Sequence, residues 1–467
     1  MSSTGHSGTR HDTGPYGPVL FWLAASTLVF APLIRGGNRP VALAILECAG
    51  IAILAIALWT PARRPGQGVP AMLYWGAALL VLAPLAQLAP VPMAWWALLP
   101  GHEPFTQALE VAGEAHGWRG ATLHAAATQY AWLVVIPCVA IFLAVRRSSR
   151  ARLRSLVVIF VAMAAAEAVI GILQAGSAPS SPINFGNPYS GGGASGTYIN
   201  KNHFSALIAM ALPMLLALWA IEMLPAVTPR GEVLREHPRN ADMKFALRAL
   251  FSSLLVVLLL ALLLTRSRAG IASGLLVFAL AIVALVWKPA SAQVKVMLGL
   301  TAAAALTAAG YVGLTPVLER FAPDSVSMDY ANRMELAMAT GRAALDFLPF
   351  GSGLGTFADV FRRYQGGKVV GLADHAHNDY AELILELGVA GIAVIALLGA
   401  AYLMRWRAVL RDRSSRRLRF LQVAAGLGML AMIVHGAFDF NFHIPANAIF
   451  FCLLAGVFFF TPAEDRA

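Results

Sequence analysis

Runs of about 18 or more apolar residues recur along this chain, and a run of that length is long enough to cross a lipid bilayer as a helix. Inside hydrocarbon every backbone N–H and C=O must be bonded within the protein, which leaves only helices and closed barrels. A barrel would read as short segments of alternating polarity, and none occur. With 58% hydrophobic and 13% charged residues in 467, a soluble globule would have no interior large enough for the apolar side chains. The expected fold class is therefore an all-α polytopic membrane protein with about twelve transmembrane helices. The spans fall near 17–34, 41–60, 71–89, 128–145, 153–175, 203–224, 247–265, 270–287, 292–314, 379–404, 418–436 and 443–461.

The net charge of +11 would suggest nucleic acid in a soluble protein. Here the basic residues gather in alternate loops, as expected for the cytoplasmic side of a membrane protein. With the N-terminus inside, the inner loops carry Arg63 and Arg64, the 146–154 group, the 230–248 group, Lys288 and Lys295, and seven arginines between 405 and 419. The outer loops are poor in Lys and Arg apart from Arg35, Arg39, Arg266 and Arg268. Both termini are thus expected in the cytoplasm, with no nucleic-acid partner. Residues 1–16 read as a disordered cytoplasmic tail, 17–314 as helices one to nine, 315–378 as one large outer loop, 379–461 as helices ten to twelve, and 462–467 as a second tail. No cleavable signal peptide is evident, so the first span is expected to remain as an anchor. The cysteines, Cys48, Cys138 and Cys452, fall in separate spans and suggest neither disulfide nor metal site. Trp95, Trp96 and Trp118 in the outer segment 90–127 suit an interfacial belt.

Several polar clusters fall on the outer side. Arg266 and Arg268 flank a turn with almost no loop. Two readings are open: a pair snorkelling at the interface, or an anion clamp, since guanidinium forks match phosphate oxygens bidentately. The large loop is expected to hold a helix over about 328–347 and a second near 356–365. On the first, Arg333 and Arg342 are nine residues apart and fall on opposite faces, so one at most points at a shared site; Arg333 is the choice. Asn202 and His203 open one span on this side, and Asp439 and His443 precede another.

Stretch 374–391 is the densest cluster. Asp374, His375, His377, Asn378 and Asp379 run directly into an apolar segment bearing Glu382 and Glu386. Glu382 and Glu386, four residues apart, share a helix face and need partners, for which arginines are the obvious candidates. The histidines read either as helix caps beside Asp374 or Asn378, or as a general base oriented by a carboxylate. The spacing is not that of a zinc site.

The motif His377-Asn378, nine residues, then Gly388-Val389-Ala390-Gly391 resembles that of the O-antigen ligase/polymerase superfamily of bacterial membrane glycosyltransferases. Stretches 196–203, 265–270, 332–335, 349–357 and 438–447 are similar to that family as well. The resemblance implies a GT-C-like fold with a large periplasmic loop, set in the bacterial inner membrane. It implies an undecaprenyl-diphosphate-linked glycan donor, a glycan or lipid A–core acceptor, and neither metal nor cofactor. By it His377 matches the essential histidine, Arg266 or Arg268 the arginine after the seventh span, and Arg333 the arginine of the loop helix. His375, Asn378, Asp379, Glu382, His203, Asn202, Asp439 and His443 are expected as supporting residues. The expected activity is inverting glycosyl transfer or polymerisation at the periplasmic face. The alternative is a transporter or flippase for lipid-linked saccharide, whose ionisable groups should sit near the membrane midplane.

Overall fold

The computed structural model describes residues 17–59, 69–189, 193–222, 238–287, 323–365, 373–412 and 415–461, with isolated helical residues between 296 and 310. The expected ninth span, 292–314, and both tails lie largely or wholly outside the described residues. Among those described, nine helices are long and apolar enough to cross a membrane, and Gly17–Leu33 and Pro445–Phe458 are shorter apolar helices. The chain is an all-α polytopic membrane protein.

In chain order the helices are α1 Gly17–Leu33, α2 Pro40–Trp59, α3 Ala71–Leu88, α4 Met93–Trp96, α5 Glu103–Val111, α6 Ala125–Leu133, α7 Val135–Arg147, α8 Arg150–Ala175, α9 Lys201–Glu222, α10 Pro238–Leu264, α11 Arg268–Ala281, α12 Pro323–Asp346, α13 Phe357–Tyr364, α14 Asp379–Leu387, α15 Val389–Arg411, α16 Arg416–Gly436 and α17 Pro445–Phe458. Helix α9 is the axis of the bundle. Its apolar window is wholly buried, with α10, α11 and α16 packed around it. A helix apolar on every side is one enclosed by other helices rather than half-solvated. Helix α16 is the next most enclosed. One end of each of these two helices, the N-terminus of α9 and the C-terminus of α16, carries the site.

The opposite end of the bundle is basic and capped. Arg405 donates from Nε to the Phe458 carbonyl at 2.9 Å and from Nη2 to that of Phe460 at 2.8 Å, while Arg146 donates to Phe459. These cations satisfy the orphan carbonyls at the C-terminus of α17, where the helix dipole also favours positive charge. Arg154 pairs with Glu222 at 2.7 Å at the same end. This agrees with the sequence alternation, which gathers its basic residues on one side.

At the site end a two-stranded antiparallel ribbon, β1 Pro90–Pro92 and β2 Trp118–Gly120, pairs Val91 with Arg119. A second small core joins α12, α13 and α14 through Leu336, Phe347, Phe357, Phe361 and Leu385. Gln87 at the end of α3 ties this layer to the bundle, donating to the carbonyls of Glu386 and Phe350 and accepting from the Leu354 amide.

The expected tenth span, 379–404, is not one helix. It breaks at Gly388, whose φ of +58° is a left-handed value that costs a side-chain-bearing residue more than glycine. Helix α15 then starts so close to α14 that a Cβ on Gly391 would stand 2.4 Å from the Leu383 carbonyl oxygen. The Gly-x-x-Gly of the motif is thus the hinge that lets α14 lie apart from the membrane-spanning α15 and present its polar first turn to the site.

Candidate active site

The site is built on two imidazole–carboxylate systems joined by one aromatic ring. Asn378 caps α14, its side chain accepting from the amides of Tyr380 at 3.1 Å and Ala381 at 3.0 Å. The cap is therefore the asparagine, and both histidines are released for other contacts. His377 sits at φ +49° just before this cap. Its Nδ1 lies 3.0 Å from Oδ1 of Asp439. The Asp439 carboxylate is fully buried, whereas the His377 side chain is 34% exposed. Asp439 also accepts from Asn202 Nδ2 at 2.5 Å and from the Phe440 amide at 3.0 Å. His203 Nε2 lies 3.9 Å from the same carboxylate. Burial alone would raise the Asp439 carboxyl. The hydrogen bond from His377 and the surrounding imidazoles outweigh it, so the group is held well below the usual carboxylate range. An ionised carboxylate only accepts hydrogen bonds, so the proton facing it is on Nδ1 of His377, and in the neutral ring the lone pair is then on Nε2.

The second system is His443 with Asp379 and Glu382. His443 Nδ1 is 3.0 Å from Asp379 Oδ1, and its Nε2 is 3.3 Å from Glu382 Oε1. Glu382 also meets His375 Nδ1 at 2.8 Å and accepts from the Ala376 amide at 2.8 Å. The partners of the α14 carboxylates are thus histidines and amides, not the arginines expected from the sequence. Burial opposes charge on His443, but the Glu382 and Asp379 carboxylates prevail and raise it to about 10. Burial raises Glu382, and the charge of His443 with the His375 hydrogen bond brings it below its ordinary value. Burial lifts Asp379 to about 6 against the His443 hydrogen bond, and lifts Glu386, beside Glu382, to about 8. His443 therefore stands as a half-buried cation between carboxylates. The donor atoms of His375, Glu382 and His443 lie within 4.8 Å of one another, so these are the residues that could hold a metal ion.

Phe440 links the two systems. His375 stacks on its ring at 4.1 Å, and His203 and His377 meet its edge or face at 4.6 and 5.0 Å. Sequence reasoning passed over Phe440, since an aromatic inside a polar stretch carries no sign of what it will touch.

A cavity of about 610 Å³ opens beside these residues, lined by His375, His377, His203, Arg266, Arg35 and Lys201 among others. Its far wall, 193–201, hangs on buried pegs from α8. Glu167 accepts from the Thr197 amide at 2.8 Å, and Gln174 donates to the Gly196 carbonyl at 2.7 Å. Asn447 of α17 donates to the His203 carbonyl and accepts from the Tyr198 hydroxyl.

The three arginines singled out from sequence separate. Arg266, at φ +55°, lines the cavity, while Arg268, the first residue of α11, does not. Arg333 donates to the Phe438 carbonyl, next to Asp439, and Arg342 on the opposite face pairs with Glu335 at 3.7 Å. The structure thus brings together His377, His375, His203, Asn202, Arg266, Asp439, His443, Asp379 and Glu382, drawn from four separate parts of the chain.

No curated protein matches the chain. Residues 253–396 match a family described as O-antigen ligase. That segment contains Arg266, Arg268, Arg333 and the whole of 374–391, while Asn202, His203, Asp439 and His443 lie beyond it and complete the geometry from outside. This match, with the motif at His377 seated in a polar cavity, supports the resemblance of the chain to the O-antigen ligase/polymerase superfamily.

Proposed function

We propose that this protein is a metal-independent, inverting glycosyltransferase that moves a glycan from an undecaprenyl-diphosphate-linked donor to a sugar hydroxyl, at the periplasmic face of the bacterial inner membrane. The acceptor is a growing glycan or lipid A–core. The observation that carries this reading is the His377–Asp439 pair: a buried carboxylate fixing the tautomer of an imidazole on a polar cavity.

Nε2 of His377 takes the proton of the acceptor hydroxyl as its oxygen attacks the anomeric carbon. The bond from that carbon to the phosphate oxygen breaks, and the diphosphate leaves with the electron pair. One displacement inverts configuration, with no covalent enzyme intermediate. Arg266 meets the growing charge on the leaving group, in a fork that matches phosphate oxygens. Arg333 and Arg268 act from outside the cavity, Arg333 by holding the turn that carries Asp439. A transporter would place its ionisable groups near mid-span. Here they lie at helix ends and in the loops between, which favours the transferase reading.

Glycan analysis of a deletion strain is the test. Long lipid-linked chains accumulating beside free lipid A–core mark a ligase; core bearing one repeat, or loss of a secreted polymer, marks a polymerase. An unchanged glycan profile contradicts both. Transfer by the purified protein continues in EDTA, and its loss on chelation would assign the His375–Glu382–His443 cluster a metal instead.

A further inference from the structure

Among the described residues, four non-glycine residues have positive φ: Arg35, Phe185, Arg266 and His377. Such backbone is strained for a residue with a Cβ, and strain of this kind concentrates at functional sites. Three of the four line the cavity, and the fourth, Phe185, offers its carbonyl to the first. His377 and Arg266 already have parts in the proposed reaction. Arg35 has none.

Arg35 opens the tight turn Arg35–Gly37 between α1 and α2. Gly36 continues the left-handed path at φ +68°, and a Cβ there would stand 2.9 Å from the ring of Tyr198 in the cavity wall. The turn is thus pressed against the cavity, and no larger residue at 36 would let it sit so close. Arg35 Nη2 donates to the carbonyls of Phe185 at 3.0 Å and Gly186 at 3.4 Å. Both bonds use one nitrogen, so among the described residues Nε and Nη1 keep their donors for a ligand. The cavity lining bears Arg35, Lys201 and Arg266 against the single carboxylate of Asp374. Arg35 and Arg266 are also two of the few basic residues that the sequence places in outer loops.

We propose that Arg35 is a second phosphate-binding arm, which with Arg266 holds the two phosphoryl groups of the lipid-linked donor from two different loops. This rests on the reading of the cavity as a donor site. A diphosphate offers oxygens on two centres, and two guanidinium forks on separate turns suit it better than a monophosphate.

The test uses the full-length protein in nanodiscs with undecaprenyl diphosphate and undecaprenyl phosphate as probes. Arg35→Gly is the informative variant, since glycine accepts the observed φ without strain. It should melt at or above the wild-type temperature, yet lose about tenfold or more in diphosphate affinity, the loss expected from a charge-assisted hydrogen bond. Monophosphate affinity should fall less, and diphosphate binding should become less salt-dependent. Arg35→Lys, which keeps the charge but not the fork, should fall between. Diphosphate affinity within about twofold of wild type in Arg35→Gly would overturn the proposal. So would an equal loss for both lipids with unchanged salt dependence, which would mark a structural role. If Arg266→Ala weakens diphosphate binding and Arg35→Gly does not, this inference alone fails; if the wild type does not prefer the diphosphate, the donor-site reading fails with it.

Discussion

The two imidazole–carboxylate systems lie side by side on Phe440 and are built to opposite ends. His443 has both ring nitrogens committed, one to Asp379 and one to Glu382, and is held as a cation. His377 has one nitrogen committed to a buried carboxylate and, among the described residues, the other uncommitted on a partly exposed ring. A base must have a lone pair to offer and a route for substrate to reach it. Of these two histidines, His377 alone meets both conditions. The difference teaches that a histidine flanked by acids is not by that fact a base; what counts is how many of its nitrogens the protein has already used.

This comparison can be broken by mutation. Asp439→Asn should have the largest effect on chemistry among changes that keep His377. The amide no longer pins the Nδ1 tautomer, and transfer should fall by about a hundredfold or more, as removal of an orienting carboxylate does elsewhere. Thermal stability should move far less than activity. A variant with near-normal turnover would show that the carboxylate does not orient the ring.

His443→Gln should do the reverse. It leaves Glu382 and Asp379 buried without their cation, a change that typically costs about 3–5 kcal/mol. The melting temperature should drop sharply, while the folded fraction retains transfer. The effect is also pH-dependent in a defined direction. His443 binds its proton more tightly folded than unfolded, so its contribution is full below the unfolded pKa of about 6.5 and fades as pH rises through about 10. The melting-temperature gap between wild type and variant should therefore be wide at pH 6 and close above pH 10. A gap independent of pH would mean that His443 is not a cation in the fold.

The smallest effect separates the two arginines of the α10–α11 turn. Arg266→Lys, on the cavity, should raise the apparent KM for lipid-linked donor, because a point charge cannot reproduce the guanidinium fork. Arg268→Lys should change it little. Equal effects would mean that cavity lining does not distinguish them.

Much of this was legible in the sequence, for physical reasons that differ by element. Apolar length marks a span directly, so most described helices fall within a few residues of their expected places, although α10 starts nine residues early and α15 lies seven to ten residues late. The break at Gly388 was missed because glycine inside an apolar run does not announce its φ. His377, Asp439 and Arg266 were visible as polar residues at the outer mouths of spans, where bland alternatives are fewest. That Asp439 belongs to His377 and Asp379 to His443 was not legible, since each pair spans more than sixty residues and only the seating of the turn between α16 and α17 on α14 decides it. Arg35 stood in the sequence as an exception to the positive-inside pattern. Its meaning emerged only when the α1–α2 turn came to rest on Tyr198.

The most direct test of the account is single-turnover transfer by His377→Ala in nanodiscs, measured with donor affinity on the same preparation. Loss of a positioned general base predicts a fall in transfer of about a thousandfold, with donor affinity within roughly threefold of wild type. Transfer within about tenfold of wild type, with the protein folded and donor bound, would contradict the assignment of His377 as the base.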